Sequence, residues 1–345
     1  MILPLQSLRF IFAIMIFLHH FPIDGVDFFT AGGDCGISFF IILSGFVLSA
    51  GYKKKILETD FSFEKFFFNR MIKIYPVHLP CLLFFIFFLY EPFSTRLFID
   101  WQTNFVLLHS WNLSKEYYFS GNDVSWFLSD LMFFYMMFPI VIKLKSPVSF
   151  KKLFIPVVAV LAVYFTAVFN VDEAQNHAWI YINPLFRFVD FFIGMCLYDL
   201  YEHIISNDKA QRNFNLNNNL FETCAIILFI ISVALAPVVP EKIRLASLYW
   251  IPSCALILFF ALGATLKSGF LTNILSNKLL ASFGSISFCF YIVHKMVIDY
   301  FTDAKTGLQT HWALQLVFCL AVTLVIALAL HKLVEKPVSK LLRIK

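Results

Sequence analysis

Arg9 and His20 stand out in a segment, Leu5–Phe21 (LQSLRFIFAIMIFLHHF), that is otherwise built largely of Phe, Ile, Leu and Met. In a helix, eleven steps of about 100° return His20 to within roughly 20° of Arg9's direction, about 16 Å farther along the axis. His19 falls about 80° off that line. A guanidinium is a fixed cation, and an imidazole takes up or gives a proton near neutral pH. Ionisable groups set into an apolar helix are costly and point to a functional site. For Arg9 a simpler reading stays open, that of a snorkelling anchor at the membrane edge.

The elements that must position these groups are membrane helices. Of the 345 residues 60% are hydrophobic and 14% charged, well short of the roughly 25% charged residues of a soluble domain. Phe alone counts 45, read as lipid-facing and packing bulk. Apolar runs long enough to span recur along the chain, roughly at 5–23, 36–52, 74–91, 124–142, 153–170, 183–201, 220–238, 247–266, 282–301 and 312–332. The expected fold is all-α, a polytopic bundle of about ten transmembrane helices. It forms one domain over residues 1–345 with no appended soluble domain. The first span shows no signal-peptide cleavage pattern and is expected to be retained. Residues 100–111 are too few to cross and suit an interfacial or re-entrant piece.

Loop charge sets the orientation. Lys and Arg gather in 53–73, 143–152, 202–219, 267–281 and the tail after 332. The opposite loops are acidic, with Asp34, Asp100, Glu116, Asp123, Asp172 and Glu173 among them. The positive-inside rule then puts both termini in the cytoplasm. Among the outer loops, 92–123 is long and carries Trp101, Asn104, Trp111, Asn112, Tyr117, Tyr118 and Asn122. Such aromatic and amide groups suit either a sugar-binding face or an interfacial belt. The seven cysteines form no CxxC pair and read as small packing residues, with neither a disulfide framework nor a metal site expected.

Further motifs accompany Arg9 and His20: GISFFIILSGF (Gly36–Phe46), FFFNRMIKIYP (Phe66–Pro76), SWFLSDLMFFYMMFP (Ser125–Pro139), FGSISFCFYIVH (Phe283–His294) and HKLVEKP (His331–Pro337). In this order, over nearly the whole chain, they resemble the integral-membrane acyltransferase 3 family, which includes bacterial polysaccharide and O-antigen O-acetyltransferases. The family pattern carries over to Arg9 and His20, to Phe39, Phe40, Ser44, Gly45 and Phe46, and to Arg70 and Pro76. Two positions depart from it. Lys73 stands where many members have a second Arg, keeping the charge but losing bidentate phosphate geometry. Leu131 stands where many have a Glu, five residues after Trp126; the nearby acid, Asp130, is one residue off, about 100° around the helix.

The resemblance implies a membrane O-acyltransferase of the bacterial plasma (inner) membrane. It would move an acyl group, acetyl in the first instance, from cytoplasmic acyl-CoA to a hydroxyl of an extracytoplasmic or lipid-linked glycan. Acyl-CoA would be a co-substrate, not a bound cofactor. The other partners would be the glycan or glycolipid acceptor and the bilayer, with no role for nucleic acid. Such a transfer needs a base for the hydroxyl proton, and His20 fits that role. Arg9 joins it as a second catalytic candidate. Ser44, Asn122, Ser125 or Arg9 could donate to the oxyanion. Arg70 and Lys73, at the mouth of the third span, are expected to meet the donor's phosphates.

Plainer assignments accompany these. Ser44–Gly45 also suits close helix packing. Arg187 and Asp190, at i and i+3, read as an intrahelical ion pair, and Glu335–Pro337 as the end of the last helix. His294 is open between a satisfied buried group and a site residue. Two competing functions are a transporter or flippase for a lipid-linked glycan and a glycan polymerase. The sequence reveals neither the broken helices nor the inverted repeats expected of a transporter.

Overall fold

A computed structural model describes residues 2–23, 29–88, 95–145, 150–302 and 310–342. The first residues of the 92–123 loop and the end of the basic tail lie outside the described residues. The long helices are α1 (Leu3–His20), α2 (Ala31–Ile56), α3 (Phe63–Phe88), α4 (Trp126–Lys145), α5 (Phe150–Asn170), α6 (Pro184–Ile205), α7 (Asp208–Leu235), α8 (Trp250–Thr265), α9 (Ser287–Thr302) and α10 (Trp312–Leu330). No strand occurs among the described residues.

Length and apolarity qualify six helical segments among the described residues to cross a membrane: α1, α2, α4, α7, Glu241–Thr265 and Trp312–Leu342. Two bent pairs raise that number to eight: Pro156–Asn170 with Glu173–Ile182, bent by 111°, and Lys278–Gly284 with α9, bent by 62°. The other two long helices carry charge: Arg70 and Lys73 on α3, and Arg187, Asp190, Asp199 and Glu202 on α6.

Several boundaries differ from those read in the sequence. The 36–52 run extends at both ends into α2, because the flanking glycines and lysines continue the helix. Arg70 and Lys73 belong to helix α3 itself, not to a loop before it. The 282–301 run is not one straight span; it breaks between Gly284 and Ser287. Gly284 packs against the backbone of Gln6, where a Cβ would lie 2.1 Å from the carbonyl oxygen. A broken helix is thus present after all, and its absence cannot serve as an argument against transport. Irregular backbone at membrane depth is tolerated where it lines a cavity, and Gly284, Ser285 and Ser287 do line one.

The core is held by close crossings and by a buried charge pair. At the α2–α6 crossing, Gly45 meets the Phe191 carbonyl and Gly194 meets the Ile42 carbonyl. Arg187 and Asp190 are both fully buried and 3.5 Å apart, the ion pair expected from their spacing. Arg187 also donates to Ser38 Oγ (3.2 Å) and the Leu245 carbonyl (3.3 Å), and Asp190 accepts from the Trp250 indole (2.8 Å). Phe12 and Phe39 stack with centroids 3.8 Å apart and seal α1 to α2.

The long loop is folded. Thr95–Phe105 is a helix of 11 residues, too short to cross, followed by a turn at His109–Trp111 and another at Lys115–Tyr118.

Candidate active site

His20 is the last residue of α1. Its Nδ1 lies 3.0 Å from the Ile16 carbonyl and 3.0 Å from Nε2 of His294 on α9. His294 is fully buried, and its Nδ1 lies 2.5 Å from the Tyr291 carbonyl. The same turn of α9 is pinned from the loop before α4. Asn122 Nδ2 donates to the Ile292 carbonyl (2.7 Å), and the Tyr291 hydroxyl donates to the Val124 carbonyl (2.9 Å). Lys295 follows His294 and pairs with Asp299 and, at 3.9 Å, with Asp123, whose carboxyl is pushed up by burial.

Arg9 sits elsewhere. It lines a cavity of about 390 Å³ with Ser44, Arg70, Lys73, Leu131, Tyr135, Tyr291, His331 and Glu335. Arg70 and Lys73 also line a wider cavity of about 760 Å³ that takes in Tyr52, Lys55, Lys65, Asn69 and Lys340. The two spaces therefore share a basic wall. Arg70 donates to the Tyr52 hydroxyl (2.8 Å) and lies 4.9 Å over its ring. Nε of Arg9 and Nε of Arg70 are buried without a hydrogen-bond partner, so each keeps a donor free for an anion. The inner wall reaches Tyr291, whose carbonyl holds His294. One turn of α9 separates the basic cavity from the imidazole pair.

The other candidates divide. Ser44 faces the inner cavity, but its hydroxyl donates back to the Phe40 carbonyl at 2.7 Å. Asn122 holds the His294 turn through its amide. Ser125 is fully buried away from both sites, 3.1 Å from His109 Nε2 and 3.3 Å from Asn104 Oδ1. Burial pushes His109 down to about 3, so this imidazole is neutral. Asp130 is fully buried within the field of Arg187 and Asp190 and lines neither basic cavity. Leu131, at the position of the family's Glu, lines the inner cavity. The helix periodicity explains this, since adjacent residues point about 100° apart.

The sequence leaves His294 open and suggests for Glu335 only a helix end. Glu335–Pro337 does not end the last helix, which continues to Leu342. Residues His331–Glu335 form a π-helical turn, a feature found often at functional sites. Glu335 Oε2 accepts from His331 Nδ1 (2.6 Å) and from Cys289 Sγ (3.4 Å). These three residues bring potential metal-ligand atoms within 4.8 Å of one another, although no metal site was expected. The i, i+4 spacing of His331 and Glu335 was a readable signal for the pair.

A helical bundle with membrane-spanning segments, a basic cavity and an imidazole pair beside it has the parts of a membrane-embedded group-transfer enzyme. Residues 4–332 match the family model of the acyltransferase domain, acyltransferase 3, and the chain belongs to that family. It is an acyltransferase. Among curated proteins it is similar to "Acyltransferase MdmB" of Streptomyces mycarofaciens, 27% identical over 340 residues, covering 91% of this chain and 82% of the relative. No solved structure matches the chain.

Proposed function

We propose that the chain is a multi-pass O-acyltransferase of the bacterial inner membrane. It transfers acetyl from cytoplasmic acetyl-CoA to a hydroxyl of an extracytoplasmic or lipid-linked glycan, with His20 as general base. The observation that carries this reading is the basic cavity system. It opens among Lys55, Lys65 and Lys340, narrows past Arg70 and Lys73 to Arg9, and ends against Tyr291, one turn below the imidazoles.

The dimensions favour such a donor. Arg9 and His20 are about 16 Å apart along α1. A pantetheine arm has about a dozen bonds from phosphate ester to sulfur, and at about 1.2 Å per extended bond it covers about 15 Å. Phosphates held by Arg9, Arg70 and Lys73 therefore let the thioester reach His20. This spacing also keeps Arg9 from the thioester carbonyl, so its role is to hold the donor rather than to meet the oxyanion.

In the reaction the acceptor oxygen attacks the thioester carbonyl while His20 Nε2 takes the hydroxyl proton. The tetrahedral intermediate collapses, the C–S bond breaks, and the imidazolium returns the proton to the departing CoA sulfur. The ester and free CoA are the products, and no proton is left on the enzyme.

The test uses membranes of the native host lacking its own copy, supplied with wild-type or His20→Ala protein and [14C]acetyl-CoA. Wild type is expected to label the glycan fraction, and His20→Ala to lose at least about 100-fold in rate. Wild-type labelling by His20→Ala would overturn the base assignment. Failure of the wild type to label glycan while surface glycan is still lost from the deletion host would favour transport or polymerisation.

A further inference from the structure

We infer that His294 is a positioning residue for the transfer reaction: it fixes the tautomer and ring plane of His20, so that the base presents a free Nε2. The inference rests on the acyl-transfer reading above.

The argument is one of donors and acceptors. His294 Nδ1 faces a carbonyl oxygen, that of Tyr291, at 2.5 Å. A carbonyl only accepts, so Nδ1 carries the proton. A neutral imidazole has one N–H, which leaves Nε2 of His294 as a lone pair. That lone pair faces His20 Nδ1 at 3.0 Å. The second neighbour of His20 Nδ1 is the Ile16 carbonyl, also at 3.0 Å and also an acceptor. Two acceptors around one nitrogen require it to donate. His20 therefore carries its proton on Nδ1 and keeps the Nε2 lone pair, the atom that must accept the hydroxyl proton.

Ile16 alone would hold this state poorly. Its carbonyl also belongs to the α-helical ladder, where it accepts the backbone N–H four residues on. His294 Nε2 supplies an acceptor that no other donor among the described residues claims. It comes from a different helix, so it sets the orientation of the His20 ring relative to the bundle and not only relative to α1. His294 is itself braced, with Phe290 lying parallel to its ring at 6.3 Å and Phe17 at 6.4 Å. The Asn122 amide, through the Ile292 carbonyl, and the Tyr291 hydroxyl, through the Val124 carbonyl, tie the same turn to the loop before α4. Once His20 is protonated at Nε2, its Nδ1–H still donates to His294 Nε2, so the same contact stabilises the imidazolium.

The experiment has a spectroscopic and a kinetic arm. The full chain, with 15N-labelled histidine, is placed in vesicles of phosphatidylethanolamine and phosphatidylglycerol at pH 8 and read by solid-state NMR. His20→Ala and His294→Ala samples assign the two rings. The expected wild-type spectrum has His20 protonated on Nδ1 only, with a through-hydrogen-bond correlation to His294 Nε2. In native-host membranes with [14C]acetyl-CoA, His294→Ala is expected to lose about 100-fold in kcat with KM for acetyl-CoA within about twofold. His294→Gln, whose side-chain oxygen can accept from His20 while its NH2 donates to Tyr291, is expected to recover about tenfold of that loss. Protonation of His20 on Nε2 overturns the inference, and so does His294→Ala with wild-type kcat and an unchanged His20 spectrum. If His294→Ala does not fold, the wild-type spectrum and His294→Gln decide. An inactive His20→Ala beside a fully active His294→Ala removes the inference alone; an active His20→Ala removes the base reading beneath it.

Discussion

At the scale of single residues, the basic groups that the bundle encloses divide into those paired with an acid and those left facing a cavity. Arg187 and Asp190 are the paired kind, and their link was legible because an Arg and an Asp three apart in an apolar helix have few other ways to be satisfied. Arg9, Arg70 and Lys73 are the cavity kind. If they hold the donor's phosphates as proposed, Arg70→Ala and Lys73→Ala are each expected to raise KM for acetyl-CoA about tenfold with a much smaller change in kcat, since that contact lies far from the reacting carbonyl. Initial rates of [14C]acetyl transfer against donor concentration check this. A fall in kcat at unchanged KM would move both residues away from donor binding. The His20–His294 contact was less legible. It joins residues 274 apart in the chain, and a single His in an apolar helix says nothing of its partner. Asp130 misleads for the opposite reason: one step from the expected Glu position in sequence is about 100° around the helix, which takes it off the cavity wall that Leu131 lines.

At the scale of elements, the tightest joint is the α2–α6 crossing. A Cβ built on Gly45 would lie 2.1 Å from the Phe191 carbonyl oxygen, and one on Gly194 would lie 2.0 Å from that of Ile42. Both obstacles are backbone, which cannot swing aside. Gly194→Val is therefore expected to force the helices apart and cost at least about 2 kcal/mol. Gly51, on the same α2, has nothing within 4 Å of its Cβ position. Gly51→Ala is expected to be neutral or to stabilise by up to about 1 kcal/mol through helix propensity. Thermal unfolding of the purified protein in detergent, read by size-exclusion chromatography, compares the two; equal midpoints would mean that the crossing is looser than its geometry. The SGF of Gly36–Phe46 thus contains a packing glycine, a reading already open from its small-residue pattern. The break after Gly284 falls in the run GSIS, where a Gly–Ser pair permits a kink but does not by itself require one. Only the approach of Gln6 reveals why the chain turns there.

At the scale of the whole molecule, the arrangement is asymmetric along the axis of α1. The Arg9 end carries the basic cavities and the Lys53 and Lys145 contacts with Asp199 and Glu202. The His20 end carries Asp34 paired with Arg244, and the folded loop around Trp111 and Tyr118. The six to eight candidate spans among the described residues are set by length and apolarity, but their sidedness comes only from the lysines and arginines between them. Acetyl-CoA is cytoplasmic, so the donor route requires the Arg9 end to face the cytoplasm. In a chain whose seven cysteines are replaced by Ala or Ser, single cysteines at Glu58 and Ser114 report on the two ends. On intact cells a membrane-impermeant maleimide is expected to label Ser114→Cys, and to label Glu58→Cys only after lysis. The reverse pattern would turn the bundle over. The basic cavity would then open away from the donor, and the cavity and the imidazole pair would no longer fit a reaction fed from the cytoplasm.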